Sequence, residues 1–303
     1  MASEAFDATV AMLAAGNLAG AASVEERRAA IDALGTMLGR APGTSIEDVD
    51  AGGVPARWVT PQGTRTPTAA NPSAVLWLHG GGYSIGSVAS HTPCASHLAD
   101  ALGVPVLVAG YRLAPEHPHP AAIEDATAVW QWLLNLGCPP TSVAVVGDSA
   151  GGGLALTLTM RLRDAGAPGP AALALLCPWV DLAGSVEVSE ARAGTDVVLS
   201  ADLLTEWADA YAGDTPLGDV ALSPLHGDLA GLPPMLVHAA GRDILCDQAL
   251  RLVADGEAVG ATIDLTVADD MIHVWHLFAG AFPEAGEALA HVAEWLGPHL
   301  HRG

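Results

Sequence analysis

Basic residues are scarce: 12 Lys and Arg stand against 34 Asp and Glu in a chain of 303 residues, a formal net charge of −22. That sign repels nucleic-acid phosphates and anionic lipid surfaces, so neither is an expected partner, and the acidity is read as a solubilising surface. Cysteine is also sparse. The four present (Cys94, Cys138, Cys177, Cys246) form no C-x-x-C pair, which excludes a zinc knuckle or a dithiol redox motif and leaves reduced, buried thiols as the expectation. The N-terminal stretch "MASEAFDATVAMLAAGNLAG" begins with acids and lacks a basic n-region. No apolar run approaches about 18 residues, so no membrane span is expected, and the chain reads as cytoplasmic. Internal repeats are lacking too, Ala-rich pieces such as "PAAIEDA" being compositional bias.

What the chain has in quantity is apolar material. Half of its residues are hydrophobic and 15% are charged, enough to bury one large core at this length. Strand-length apolar runs ("ARWVT", "SAVLWLH", "VPVLVAG", "SVAVVGD", "ALALLCP", "PMLVHAA", "TIDLTV") alternate with helix-period segments, the pattern of an α/β fold with a mostly parallel sheet. Between the third and fourth runs, Ile123, Ala126, Val129, Trp130, Leu133 and Leu134 fall on one helical face, with Pro120 near its first turn. Two regions break the alternation: Ala-rich helices before the first strand, and a loop-and-helix stretch over about 183–220. Both read as additions to a core.

A single serine sits where "SVAVV" meets the helix beginning near Gly151. "GDSAG" (Gly147 to Gly151) has the form G-x-S-x-G, a nucleophile elbow, in which a side chain two positions either side of the serine would strike neighbouring backbone. The turn lifts the Ser149 hydroxyl onto a helix N-terminus, whose free N–H groups favour a developing anion. A phosphate-binding turn is the competing reading, but the Walker lysine is missing and "GDSAGGG" is a poor dinucleotide fingerprint. Upstream, His79-Gly80-Gly81-Gly82 follows the strand "SAVLWL" as an HGGG loop whose backbone can come within hydrogen-bonding reach of a substrate oxygen. The N–H groups of Gly81, Gly82 and Ala150 are the candidate oxyanion hole, each donor worth typically about 2.7–4 kcal/mol in a transition state.

With "HGGG", "YRLAPEHPHPAAIEDA", "GDSAGG", "GRDILCD" and "DDMIHVW" in this order, the sequence resembles the bacterial hormone-sensitive-lipase-like carboxylesterases over roughly residues 55–297. "DMIHVWHLF" is most similar to members known as lactone hydrolases. The resemblance implies an α/β-hydrolase fold and a Ser, Asp, His triad in that chain order. It also implies no cofactor, and a cap built from the N-terminal helices plus an insertion. The expected organisation is therefore 1–45 as N-terminal cap helices, 46–182 as the first part of the core, 183–220 as the cap insertion and 221–303 as the second part of the core. In that family the last strand and helix often mediate homodimers.

The residues support this assignment. Asp243 lies directly beyond the strand "PMLVHAA", where a loop can orient a histidine; Asp247, the alternative acid, is expected to enter the next helix as a cap or supporting group. Of twelve histidines, His117 and His119 lie in a Pro-rich loop, His238 falls inside a strand, and His291, His299 and His301 sit in or after the last helix. His273 follows the strand "TIDLTV" at the sheet edge shared with Ser149 and Asp243, and is the expected base; His276 should face along a helix "VWHLFAGAF". Asp269 and Asp270 stand where the family often has Gly, and either could raise the His273 pKa or act as a surplus carboxylate. Tyr83, Trp179, Trp207 and Trp275 are candidate pocket walls, with core packing as their alternative.

The expected chemistry is hydrolysis of a small carboxylic ester, of short to medium acyl chain, or of a lactone, through an acyl-enzyme and without metal. Amide or carbamate hydrolysis on the same triad is the alternative. A ligand-binding receptor on a hydrolase fold is a third reading, which the presence of all three triad residues disfavours.

Overall fold

The computed structural model describes residues 2–16 and 23–300. Two helices, α1 (Glu4–Gly16) and α2 (Val24–Met37), precede strands β1 (Ser45–Asp50), β2 (Pro55–Thr60) and β3 (Ala74–Leu78). Then follow α3 (Val88–Leu102), β4 (Val106–Ala109), α4 (Ala121–Asn135), β5 (Val143–Asp148), α5 (Ala150–Asp164) and β6 (Ala172–Leu176). The insertion supplies α6 (Glu190–Ala193) and α7 (Ala201–Ala212). β7 (Met235–Ala240), α8 (Cys246–Ala258), β8 (Ile263–Ala268) and α9 (Pro283–Leu300) complete the chain.

The eight strands form one sheet in the order β1-β2-β4-β3-β5-β6-β7-β8, parallel from β4 to β8 and antiparallel at β1/β2 and β2/β4. All seven strand-length runs read from the sequence are strands. The period of two divides each central strand between two cores. In β3, Leu76 and Leu78 face one side, where α4, α5 and α8 pack through Trp130, Leu154 and Leu252; Val75 and Trp77 face the other, against Leu98 of α3 and Leu296 of α9. Each such fully buried aliphatic side chain contributes about 1.5–3 kcal/mol of apolar burial. The expected face of α4 is the packed one, Leu134 lying at its margin.

β1 has no counterpart in the sequence reading. Its "SIEDVD" is exposed at nearly every position, so it carries no apolar alternation, and its pairing with β2 is held partly by Arg57 donating to Asp48 at 2.5 and 3.0 Å. An acidic outer strand also discourages edge-to-edge association. A second difference lies after His273, where the expected helix "VWHLFAGAF" is only a short 3₁₀ turn over Trp275–Phe278, entered through Val274 at φ +44°. His301 and residues 17–22 lie outside the described residues.

Candidate active site

The C-terminal ends of β3, β5 and β8 open onto one hollow, with the end of β7 behind it, which is where open α/β sheets place ligands. β5 delivers Ser149, β3 the HGGG loop, β7 Asp243 and β8 His273. Ser149 sits at φ +51°, ψ −123°, a region L-residues avoid, at a cost on the order of 1–3 kcal/mol. Its own backbone is what holds it there: Ser149 N–H donates to Leu176 O at 2.9 Å, and Trp179 N–H donates to Ser149 O at 2.9 Å. The flanking glycines are required by space. A Cβ on Gly147 would lie 2.2 Å from Gly151 O, and one on Gly151 would lie 2.0 Å from Leu78 O. The Ser149 side chain makes no capping bond to α5, so its hydroxyl is uncommitted.

The HGGG loop is anchored on Asp148. That buried carboxylate accepts from Trp77 Nε1 at 2.8 Å and from Gly80 N–H at 3.0 Å, and meets His91 Nε2 at 3.2 Å. Burial works to raise its pKa, but the charge and hydrogen bond of His91, with Trp77 and His79, hold it below the ordinary Asp value. His79 is kept neutral, its pKa pushed down to about 3 by burial and then by His91, and its ring stacks on Tyr111 at 4.3 Å. Gly81 and Gly82 take φ of +111° and +58°, and a Cβ on them would strike Ile85 O at 2.4 Å and the Trp207 ring at 2.2 Å. Among the described residues, nothing accepts from the N–H groups of Gly81, Gly82 or Ala150.

Asp243 and His273 are in direct contact, Nδ1 to Oδ2 at 2.8 Å, and Asp243 Oδ1 accepts Leu245 N–H at 2.8 Å. Both residues are buried. Burial acts to lower the His273 pKa, yet the charge and hydrogen bond of Asp243, then Asp196 and Asp148, outweigh it and hold the imidazole above its ordinary 6.5. Cys177 Sγ, an Asp243 oxygen and a His273 nitrogen lie within 4.8 Å of one another, the one such trio of metal-ligand types among the described residues. Here the His273–Asp243 contact is a hydrogen bond, and Cys177 Sγ accepts Val274 N–H at 3.4 Å.

Asp247, in the first turn of α8, does enter the next helix. It pairs with Arg192 Nη1 and accepts Ser189 N–H at 3.0 Å, which ties it to α6 rather than to a histidine. Asp269 and Asp270 are exposed, line a separate hollow with His238 and His291, and are not among the carboxylates that raise the His273 pKa. His276 is fully buried and bonds His238 across 2.9 Å, which fits a core role. All four cysteines are free and buried.

Ser149, His273 and Gly81 line a cavity of about 80 Å³. Its walls come from segments far apart in sequence: Leu13 of α1, Ile31 and Leu34 of α2, Val198 and Leu199 of the insertion, Trp207 of α7, and Leu277 with Phe278. Arg28 holds α2 down by donating to Ser84 O and Ala114 O at 2.8 Å each, and Arg27 reaches Glu206 of α7 at 2.5 Å. Of the four candidate wall aromatics only Trp207 lines the cavity. Tyr83 is taken up by a 3.7 Å stack on Tyr211, Trp179 packs beside it and serves the elbow through its backbone, and Trp275 lies against His238 and His276 on the other side. His91, Asp196 and the aliphatic wall had no signal in the sequence, because no local motif links them to Ser149.

Comparison with known proteins agrees with this fold. Residues 75–277 match the family described as having an alpha/beta hydrolase fold. The chain is 40% identical over 268 residues to an acetyl-hydrolase of Streptomyces hygroscopicus, covering 88% of this chain and 87% of that protein. It is 37% identical over 238 residues to an ethyl acetate hydrolase of Pseudomonas putida, covering 75% and 74%. A crystal structure of an esterase from the bacterial hormone-sensitive lipase family superposes with a TM-score of 0.93 at 36% identity, over 99% of each chain. The chain belongs to the alpha/beta-hydrolase-fold family, among the bacterial hormone-sensitive-lipase-like carboxylesterases.

Proposed function

We propose that the chain hydrolyses short-chain carboxylic esters, acetyl esters foremost, through an acyl-enzyme on Ser149. One observation carries this reading: an uncommitted serine on a strained strand-to-helix corner shares a small cavity with a histidine bonded to a buried aspartate. His273, kept as the Nδ1–H tautomer by Asp243, takes the Ser149 proton at Nε2 as Oγ attacks the ester carbonyl. The oxyanion is received by the free N–H groups of Gly81, Gly82 and Ala150. His273 then gives its proton to the departing alcohol. Water, deprotonated by the same imidazole, releases the acid and restores Ser149.

Phenylmethylsulfonyl fluoride should abolish turnover while adding one sulfonyl group to Ser149, seen by mass spectrometry on the tryptic peptide ending at Arg161. Loss of activity with the label on another residue would refute the assignment.

The N-terminal helices and the insertion serve as the cap in this reading, and they bound the substrate. A cavity of about 80 Å³ is small beside the roughly 300–1,000 Å³ of pockets for drug-sized ligands. Each acyl CH₂ that finds apolar wall gains about 0.8 kcal/mol, and the gain reverses at the floor. On p-nitrophenyl esters, kcat/KM should therefore peak at short acyl chains, acetyl to butyryl, and collapse for emulsified long-chain lipids. Lactones of similar size present the same carbonyl and belong in the same panel. An optimum at long-chain triglycerides would overturn the small-cap picture.

The pH dependence follows from His273. Only the neutral imidazole can accept the serine proton, and its pKa is held above 6.5 by the surrounding carboxylates against the opposing effect of burial. Activity should thus be lost as pH falls through that raised value, with the acid-limb midpoint of kcat/KM above 6.5. A midpoint near the ordinary carboxylate range would assign the base elsewhere.

A further inference from the structure

The carboxylates around His273 come from separate parts of the fold. Asp243 follows β7, whereas Asp196 lies in the insertion between α6 and α7. Asp196 Oδ1 accepts the N–H groups of Val198 and Leu199, each at 2.8 Å. Those bonds form a local turn and would mean little alone. Oδ2 makes a different kind of contact: it accepts Ile244 N–H at 3.0 Å, across 48 residues of sequence, from the residue directly after Asp243. The next amide, Leu245 N–H, is taken by Asp243 itself. Two carboxylates therefore clamp successive amides of one turn, and the outer one also fixes Val198 and Leu199, both of which line the cavity.

This arrangement has an electrostatic cost. Asp196 is pushed above the ordinary Asp value, by burial first and by the Asp243 charge second, with His273 and the N–H groups of Leu199 and Ile244 opposing. A second carboxylate here is offset when positive charge develops on His273, as it does when the imidazole holds the serine proton. The other groups around His273 are Asp148 at the end of β5 with His91 and His79 against it, the Cys177 thiol after β6, and the buried His276.

We infer that Asp196 is a positioning residue for the ester hydrolysis proposed above: it sets the Asp243 turn and the cavity wall as one unit and holds negative charge close to His273. The two consequences separate experimentally. The Asp196→Asn amide keeps one acceptor oxygen but loses the charge, whereas Asp196→Ala loses both.

The test follows the His273 ring by NMR across pH in wild type, Asp196→Asn and Asp196→Ala, with the resonance assigned by its absence in His273→Gln, alongside the acyl-length profile. In both variants the His273 midpoint should move to lower pH. The acid limb of kcat/KM should move with it, while plateau kcat/KM falls several-fold, and Asp196→Ala should also broaden the acyl-length optimum. An unchanged His273 midpoint, even with a lowered Tm, would reduce Asp196 to a turn-forming residue and overturn the inference. Should Asp196→Ala fail to fold, Asp196→Asn carries the titration by itself. The inference rests on the triad reading, but the ring titration does not need activity: if Ser149→Ala stays active, the catalytic reading falls while the titration still reports whether Asp196 charges His273.

Discussion

Replacing Ser149 with alanine should lower kcat by roughly 10⁶-fold, the scale seen when a serine hydrolase loses its nucleophile, and leave the fold in place. The hydroxyl lines the cavity and makes no capping bond to α5, so its removal enlarges the cavity rather than opening a void in either core. The strain at φ +51° remains, because alanine is an L-residue like serine, and the backbone bonds to Leu176 and Trp179 do not involve the side chain. Stability should change by less than about 0.5 kcal/mol, as for substitutions that touch no packed or bonded feature. Steady-state hydrolysis of p-nitrophenyl acetate, read beside a thermal melt, checks both halves. Turnover within ten-fold of wild type would remove Ser149 from the chemistry, whereas a collapsed melt would show that the hydroxyl has a structural task. Any residual rate would come from free N–H donors and from substrate binding, both of which the variant keeps.

The strand-to-helix corner that carries Ser149 was legible in the sequence. A Cβ on Gly147 or Gly151 would lie 2.2 or 2.0 Å from a backbone oxygen, so this corner requires glycine at both positions and shows itself as a motif. Asp243 and His273 were legible for a related reason: each lies in the loop beyond a strand whose apolar pattern marks its end. The cavity wall was not. Leu13, Ile31, Leu34 and Val198 read as ordinary helix and loop apolars, and only the packing of α1, α2 and the insertion over the sheet brings them above Ser149. Large aromatics misled for the same reason, since Tyr83 and Trp275 satisfy themselves against Tyr211 and the buried histidines. β1 was silent because an exposed acidic edge has no alternation to read. Asp196 was silent because its partner amide is 48 residues away, whereas Asp269 and Asp270, the acids adjacent to His273 in sequence, line a separate hollow and are not among the groups that raise its pKa.

The two acids of "GRDILCD" should separate by orders of magnitude. Asp243 is fully buried and divides its oxygens between His273 Nδ1 and Leu245 N–H. In Asp243→Asn only one oxygen remains. If it stays on Leu245 N–H, the amide NH₂ faces Nδ1 and favours the tautomer that places the proton on Nε2, the atom that receives the serine proton in the proposed mechanism. If instead it turns to His273, the turn amide loses its acceptor and the imidazolium loses its buried counter-charge. Either way kcat should fall by roughly 10⁴-fold, as when a triad aspartate is made an amide. The carboxylate of Asp196 cannot substitute, since its oxygens are committed to Val198, Leu199 and Ile244. Asp247→Asn breaks the pair with Arg192 and weakens the bond to Ser189 N–H, both at the foot of α6. That change should lower stability by about 1 kcal/mol or less, the range of partly exposed ion pairs, and alter kcat by no more than a few-fold. Parallel measurement of kcat and Tm for the two variants decides the matter. The reverse ranking would transfer the orienting role to Asp247, and two near-normal kcat values would mean that His273 works without a carboxylate partner in this turn.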